Sequence, residues 1–144
     1  MAYISSFTYC DNIQTEITPQ GPRPQVVNPL QVLAPVAIPG NYSFSISYNL
    51  AGFEPTKENK VRLEFISPSN KIIYDTNDIN FQIPKEKLNL DKPAVMQFNL
   101  DIRNLVFREK GLYTTKIQVN SEEVGEYKIE VIVGDQNGAN SWKT

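Results

Sequence analysis

The sequence contains no histidine, and this absence restricts the chemistry open to the protein. Histidine is the usual general base near neutral pH and the commonest ligand of zinc in proteins. Nucleophilic sites of the Ser-His-Asp or Cys-His type therefore cannot be assembled within this chain. No motif supports a mechanism based on carboxylates or lysine. We expect a protein that is not an enzyme and that holds neither a metal ion nor a cofactor.

Cysteine and long apolar runs are also scarce. The single cysteine, Cys10, excludes an intramolecular disulfide. Because no histidine or cation stands beside it, we interpret Cys10 as a small packing residue and not as a nucleophile. No stretch approaches the roughly 20 apolar residues of a membrane span. Residues 1–9 lack the basic region and the continuous apolar run of a signal peptide, so we expect a cytoplasmic protein.

Charge is nearly balanced, with 14 basic and 16 acidic residues and a formal net charge of −2. This balance provides no attraction for a nucleic-acid backbone or an anionic membrane. We therefore expect neither as a partner. The length suits one domain, because a chain of about 150 residues can bury about 70% of its unfolded surface.

Alternating side chains predict β-strands along most of the chain. The clearest run is residues 42–50, where large apolar residues at every second position are separated by serine or asparagine. That pattern is typical of a strand with one face on a core and the other in water. We interpret its aromatic residues, Tyr42, Phe44 and Tyr48, as core residues.

Residues 111–134 predict a β-hairpin. A period of two places these residues on its apolar face: Tyr113, Thr115, Ile117 and Val119 in the first strand, and Tyr127, Ile129, Val131 and Val133 in the second. Asn120, Ser121 and Glu122 belong to the turn, and Gly125 marks a bulge or a close backbone approach. Other strands must cover this apolar face, because an isolated hairpin is marginally stable in water.

The remaining segments are less regular. We expect a first strand over residues 2–9, ended by Cys10 and Asp11, with Tyr3, Ser5, Phe7 and Tyr9 on one side. Residues 13–18 can extend an edge strand. Residues 18–39 carry six prolines and predict an extended connection with short edge pieces. Residues 85–90 predict a single helical turn. A strand over residues 96–102 continues with Leu105 and Phe107 in the same parity.

About eight short strands with polar turns predict an all-β protein, an antiparallel β-sandwich. We expect one domain over residues 1–134. Residues 135–144 have neither periodicity nor a core-forming run, and we expect them to form a flexible C-terminal tail.

The segment from Leu105 through Gly111-Leu112-Tyr113 resembles the Gly-x-Tyr penultimate strand of immunoglobulin-like and C2-like folds. This resemblance implies that Tyr113 anchors the preceding corner. Up to Gly134 the chain also resembles small, uncharacterised β-sandwich proteins of bacteria and their phages. These open with a strand ending in Cys-Asp, continue through a proline-containing segment into an aromatic strand, and finish with a Gly-x-Tyr hairpin. The resemblance implies the fold and a prokaryotic cytoplasmic origin, and it carries no catalytic residue.

For function we expect a protein-interaction module that binds a protein partner or associates with itself. An exposed edge strand would suit strand addition. The candidate contact segments are the loop at residues 51–59, the turn at residues 75–78 and the tail. The candidate contact residues are Phe53, Tyr74, Asp75, Asp78 and Trp142.

Two alternatives stay open. A carbohydrate or small-ligand binding module would require Phe53, Tyr74 and Trp142 to line one concave surface. A phage or particle structural subunit would form a symmetric oligomer. Asp75 and Asp78 also offer oxygen atoms that calcium could use, but we interpret their segment as an ordinary turn.

Overall fold

Strands make up nearly all the regular structure of residues 1–89 and 91–134, the part of the chain that the computed structural model describes. The strands are β1 (Tyr3–Thr18), β2 (Gly21–Pro29), β3 (Val32–Leu33), β4 (Gly40–Ala51), β5 (Asn59–Ile66), β6 (Ile72–Asp75), β7 (Ile79–Phe81), β8 (Val95–Phe107), β9 (Gly111–Val119) and β10 (Glu122–Val131). The predicted helical turn is a 3-10 helix over Lys85–Lys87.

These strands form two sheets. Sheet A has the order β2-β1-β4-β8, and sheet B has the order β3-β10-β9-β5-β6, with β7 also paired to β5. Every pairing is antiparallel except the short one between β3 and β10. The inner faces of the sheets enclose one hydrophobic core. The predicted all-β sandwich is confirmed, with ten strands where we expected about eight, because the proline-rich segment contributes β2 and β3.

Aromatic rings fill the centre of the core. Phe65 lies with its ring centroid 5.6 Å from that of Phe44 and 5.4 Å from that of Tyr113. Phe107 packs edge-on against Tyr113 at 5.4 Å. All four side chains are at most 1% exposed. Such pairs contribute about 0.5–1.5 kcal/mol each beyond the burial of their area.

The hairpin of β9 and β10 follows its predicted pattern closely. Tyr113, Thr115, Ile117 and Val119 are all buried. The turn is shorter than predicted, because Glu122 already pairs with Val119 as the first residue of β10. Its two residues, Asn120 and Ser121, both have positive φ, 52° and 71°, as a type I′ turn requires. Val133 does not share the buried face, because β10 ends at Val131 and Val133 is 45% exposed.

Gly125 marks both a bulge and a close approach. The register of β10 against β9 shifts between Glu123 and Gly125. A Cβ at Gly125 would lie 2.8 Å from the Tyr127 ring and 3.0 Å from Ile4 of β1. A side chain there would therefore collide with the packing of β1 against β10.

Tyr113 closes the corner that precedes β9. Its hydroxyl donates a 2.7 Å hydrogen bond to the carbonyl of Glu109. This is the anchoring role that the resemblance to immunoglobulin-like folds implied, and the arrangement is immunoglobulin-like.

Two bulges overturn the predicted parity of β1 and β8. In β1 the register shifts between Ile4 and Ser6, so Ile4 packs against the core while Tyr3 is 55% exposed. In β8 the shift lies opposite Ser43 at Asn104, whose φ is 53°. A bulge adds one residue to a strand and so reverses the faces of the residues beyond it. Leu105 and Phe107 therefore do not continue the parity of residues 96–102.

The first strand is also longer than predicted. Cys10 and Asp11 do not end it, because β1 runs on to Thr18. β4 pairs with β1 only as far as Cys10, and beyond that point β1 pairs with β2 alone. The proline-rich segment thus supplies a nine-residue edge strand where we expected short pieces. We call the two-stranded part beyond Cys10, residues 12–27, the arm.

Candidate functional site

The predicted contact residues do not come together. Phe53 is 8% exposed and packs edge-on against Phe81, so it belongs to the core and cannot serve as an exposed aromatic. Nothing in the sequence indicates this burial, because Phe53 lies in a polar loop. Tyr74 is half-buried in β6, beside Asp75, and Asp78 is exposed. Trp142 lies outside the described residues.

Asp75 forms an ion pair with Arg62. Its two carboxylate oxygens accept hydrogen bonds of 3.0 and 2.6 Å from the guanidinium group of Arg62. The backbone N–H of Asn77 donates a third, at 2.8 Å. The hydrogen bonds from Arg62 hold the pKa of the Asp75 carboxyl below its ordinary value. Within residues 1–89 and 91–134, no three His, Cys, Asp or Glu side chains gather as metal ligands do.

Cys10 is fully buried. Burial raises the pKa of its thiol, and the negative charge of Asp11 acts in the same direction. A thiol with a raised pKa is a poor nucleophile. This environment favours the interpretation of Cys10 as a packing residue.

A groove lies between the arm and the outer face of sheet A, the face turned away from sheet B. Its volume is about 390 Å³. The arm contributes Asn12, Ile13, Gln14, Thr15, Pro22, Arg23 and Pro24, and sheet A contributes Ser45, Asn99, Leu100 and Asp101. The arm therefore bends over the outer face of β4 and β8.

Polar side chains on β4 and β8 form a ladder along this outer face. Ser45 donates a 3.0 Å hydrogen bond to Asp101, and Ser47 donates one of 2.8 Å to Asn99. Gln97 donates to both Ser47 and Asn99. The two serines are 1% and 7% exposed, whereas the outer side chains of β8 face solvent. The ladder places polar side chains along β8, the strand at one edge of sheet A.

β8 is the last strand of sheet A on that side. It runs for 13 residues, and Val95 to Arg103 is regular because its bulge lies at Asn104. In the part of the chain that the structure describes, no backbone hydrogen bond from outside the sheet reaches these nine residues. β8 thus presents a long, regular and unpaired edge.

Pairing across sheet A shows which β8 backbone groups point outward. The N–H and C=O of one residue point to the same side of a strand, and those of its neighbour point to the other. Leu30 bonds to the carbonyl of Tyr9, so Tyr9 faces β2 and Cys10 faces β4.

The same alternation continues through β4. Ser45 is opposite Cys10 and faces β1, which turns Ile46 and Tyr48 toward β8. Their partners Leu100 and Phe98 are bonded to β4. The backbone groups of Gln97, Asn99 and Asp101 therefore point away from the sheet.

Other edges carry features that hinder pairing. On β2, Pro22 and Pro24 lack N–H groups, and β3, β6 and β7 are only two to four residues long. The exposed edges of β1 and β10 are interrupted by their bulges at Ser5 and Val124. β8 is the longest edge without such an interruption in residues 1–89 and 91–134.

Sequence patterns did not single out Gln97, Asn99 and Asp101. Their alternation with Met96, Phe98 and Leu100 predicted a strand correctly, but edge position depends on which distant strands pair. The prolines at positions 22 and 24 were the available signal. Alternating prolines indicate a sheet edge that does not accept a further strand, which leaves the opposite edge of sheet A as the open one.

Several solved structures resemble this chain at low identity. The alkylpurine DNA glycosylase AlkC of Pseudomonas fluorescens, bound to DNA with an abasic site analog, is 12% identical with a TM-score of 0.47 over 92% of this chain and 30% of the glycosylase. An immunoglobulin-like protein of Pseudomonas aeruginosa is 13% identical with a TM-score of 0.43, over 92% of this chain and 97% of that protein. A β-glucuronidase of Bifidobacterium dentium is 14% identical with a TM-score of 0.40, over 92% of this chain and 17% of the enzyme.

This chain thus spans less than a third of the glycosylase. Identities and TM-scores this low say nothing about what the chain binds. No curated protein matches it. Among the described residues, no helix has the length and apolarity needed to cross a bilayer.

One family model covers most of the chain, from residue 5 to residue 132. It describes a family of unknown function, which confirms the expectation of an uncharacterised β-rich family. The chain belongs to this family, DUF6941.

Proposed function

We propose that this protein is a non-enzymatic protein-interaction module that binds a partner by adding a strand to the open edge of β8. The observation that supports the proposal is the regular, unpaired stretch from Val95 to Arg103 at the end of sheet A. Strand addition derives affinity from main-chain hydrogen bonds and specificity from alternate side chains.

Both faces of β8 suit such a partner. On the outer face, an added strand would lie beside Gln97, Asn99 and Asp101, whose amide and carboxylate groups can select polar side chains. On the inner face, Met96 and Phe98 are only half-buried because the sandwich ends there. An apolar side chain from the partner would cover them, and covering apolar area stabilises a complex by about 25 cal/mol per Å² before the costs of association.

A selection from a library of extended peptides, followed by amide hydrogen exchange, tests this proposal. We expect selected peptides to slow exchange at the outward N–H groups of Gln97, Asn99 and Asp101. Peptides that bind while β8 exchange is unchanged would contradict strand addition.

Two variants at one position provide the matched comparison. Asn99→Pro removes an outward N–H at a place where an edge strand tolerates proline, and it should abolish peptide binding. Asn99→Thr loses the same side-chain amide but keeps the N–H, so it should retain binding. Equal loss in both variants would show that the side chain, and not the edge, holds the peptide.

The groove under the arm supports a second candidate, the binding of a small polar ligand such as a sugar. Its volume lies within the range of about 300–1,000 Å³ that is usual for ligand sites. Among the described residues, Arg23 forms no ion pair, and its guanidinium group can donate to a ligand.

NMR titration with a panel of mono- and disaccharides tests this candidate. We expect shifts confined to the groove that are weakened by Arg23→Ala and not by Arg108→Ala, since Arg108 does not line it. An absence of shifts across the panel would count against a sugar.

A further inference from the structure

The open edge of β8 is complementary to itself. We infer that the strand added to β8 is β8 of a second copy of this chain, antiparallel to the first and related to it by a two-fold axis at Asn99. This inference rests on the proposed function, because it names the partner that strand addition recruits.

The position of Asn99 within β8 gives the first argument. The regular stretch runs from Val95, where the strand begins, to Arg103, where the bulge begins, and Asn99 is its middle residue. An axis there aligns Val95 with Arg103 of the partner subunit. Every residue of the regular stretch then has a partner, and any other axis leaves residues at one end of the stretch unpaired in each copy.

Backbone direction agrees with this register. Antiparallel strands exchange two hydrogen bonds at alternate pairs, and these pairs require residues whose N–H and C=O groups point outward. Asn99 is such a residue, as are Gln97 and Asp101 on either side of it. Asn99 would therefore pair with itself, and Gln97 would pair with Asp101 of the partner subunit.

Side-chain chemistry on the outer face favours the same register. The Gln97 amide can donate to the partner's Asp101 carboxylate, and the two Asn99 amides can bond to each other. The long stem of Arg103 would lie over Val95 of the partner subunit, which is 49% exposed in one copy. An axis at Asp101 would instead place two carboxylates directly opposite one another, each with only the Arg103 of its own copy, at 2.9 Å, to offset its charge. Like charges directly opposite one another destabilise a pair of strands.

Pairing also brings apolar residues from the inner faces of the two copies together. In this register Phe98 is opposite Leu100 of the partner subunit, and Met96 is opposite the partner's Ile102. Phe98, Leu100 and Met96 are all half-buried at the edge of the core. Pairing would continue the core of one copy into the core of the other, and the two four-stranded sheets would become one sheet of eight strands.

Cysteine crosslinking of the full chain tests the register directly. In a hydrogen-bonded antiparallel pair the Cα atoms are about 5.5 Å apart, a separation that a disulfide can span. We expect Asn99→Cys to give a covalent dimer on mild oxidation. Residue 97 lies about 13 Å from its own copy in this register, beyond the reach of a disulfide, so Gln97→Cys alone should give none.

A mixture of Gln97→Cys and Asp101→Cys chains should crosslink, although neither should do so alone. Cys10 is buried and does not compete. Crosslinking of Gln97→Cys alone with no crosslink of Asn99→Cys would overturn the register.

Sedimentation equilibrium tests the association itself. We expect the wild type and Asn99→Thr to have twice the mass of the chain, and Asn99→Pro to have half the mass of the wild type with an unchanged circular dichroism spectrum. If the wild type is a monomer and Asn99→Cys does not crosslink, the inference fails. The proposed function survives that result if selected peptides still protect β8, and fails with it if they do not.

Discussion

The hydroxyl oxygens of Tyr9 and Thr115 lie 2.6 Å apart inside the sandwich and join β1 of sheet A to β9 of sheet B. Tyr9 is 7% exposed and Thr115 is fully buried. Burial raises the pKa of the Tyr9 hydroxyl, so this group remains protonated and able to donate. Tyr9 is the hydrogen-bond partner of the Thr115 hydroxyl, and the Tyr9 hydroxyl also lies 3.4 Å from the Tyr127 carbonyl oxygen, to which it can donate.

We expect Tyr9→Phe to lower the free energy of unfolding by about 1–3 kcal/mol, because it leaves the Thr115 hydroxyl buried without its partner. Thr115→Val should cost less, because the Tyr9 hydroxyl keeps the Tyr127 carbonyl as an acceptor. The double variant should cost less than the sum, because no orphaned hydroxyl remains. Guanidinium chloride unfolding of all four proteins measures the coupling, and strictly additive effects would contradict it.

Tyr113→Phe should destabilise the protein by about 0.5–1.5 kcal/mol, since it removes the hydrogen bond to the Glu109 carbonyl. Tyr127→Phe is the matched control, because the Tyr127 hydroxyl donates no hydrogen bond within the described residues. Chemical unfolding compares the two, and equal losses would show that the corner bond contributes nothing specific.

The ion pair of Arg62 and Asp75 should make stability depend on pH. The pKa of Asp75 is lower in the folded chain than its unfolded value of about 3.9, so the ionised carboxylate stabilises the fold above that pH. This contribution disappears as pH falls through the folded-state pKa.

We therefore expect Asp75→Asn to unfold at a lower denaturant concentration than the wild type at pH 7. The two midpoints should converge in acid. Asp78→Asn, which removes a carboxylate that makes no ion pair among the described residues, should follow the wild type at each pH. Parallel curves for Asp75→Asn and the wild type down to low pH would contradict the assignment.

Asn104 should tolerate glycine better than a β-branched residue. Its φ of 53° lies in the left-handed region, which asparagine and glycine visit readily. We expect Asn104→Val to cost about 1–2 kcal/mol and Asn104→Gly clearly less. Thermal unfolding measures both. A valine variant as stable as the glycine variant would show that the bulge had moved.

The sequence predicted the parts of the fold that depend on the local alternation of apolar and polar residues. A period of two identified β4, β8 and the β9–β10 hairpin, and the Gly-x-Tyr pattern identified the corner at Tyr113. The bulge at Ser5 was missed because a single extra residue reverses one face without changing composition. The bulge at Asn104 could have been read from the sequence, because Leu105 follows Ile102 by three residues and a period of two does not allow that step. Phe53 was misplaced because neighbours in a polar loop give no sign that a side chain turns into the core.

The candidate site depends on pairing between distant segments, and local sequence patterns do not show which segments pair. The predicted contacts were exposed-looking loop residues, whereas the open edge lies on a strand whose residues alternate regularly. β1 and β2 showed the same limit. The prolines of β2 suggested an irregular connection, yet Pro22 and Pro24 are compatible with a strand as long as their nitrogens face outward.

Pro22 and Pro24 also bear on the number of copies that pairing through β8 could join. On the β2 side of sheet A they remove outward N–H groups that a further strand would need. If two copies pair through β8 as proposed, each has used its long regular edge, and we expect the assembly to stop at two copies.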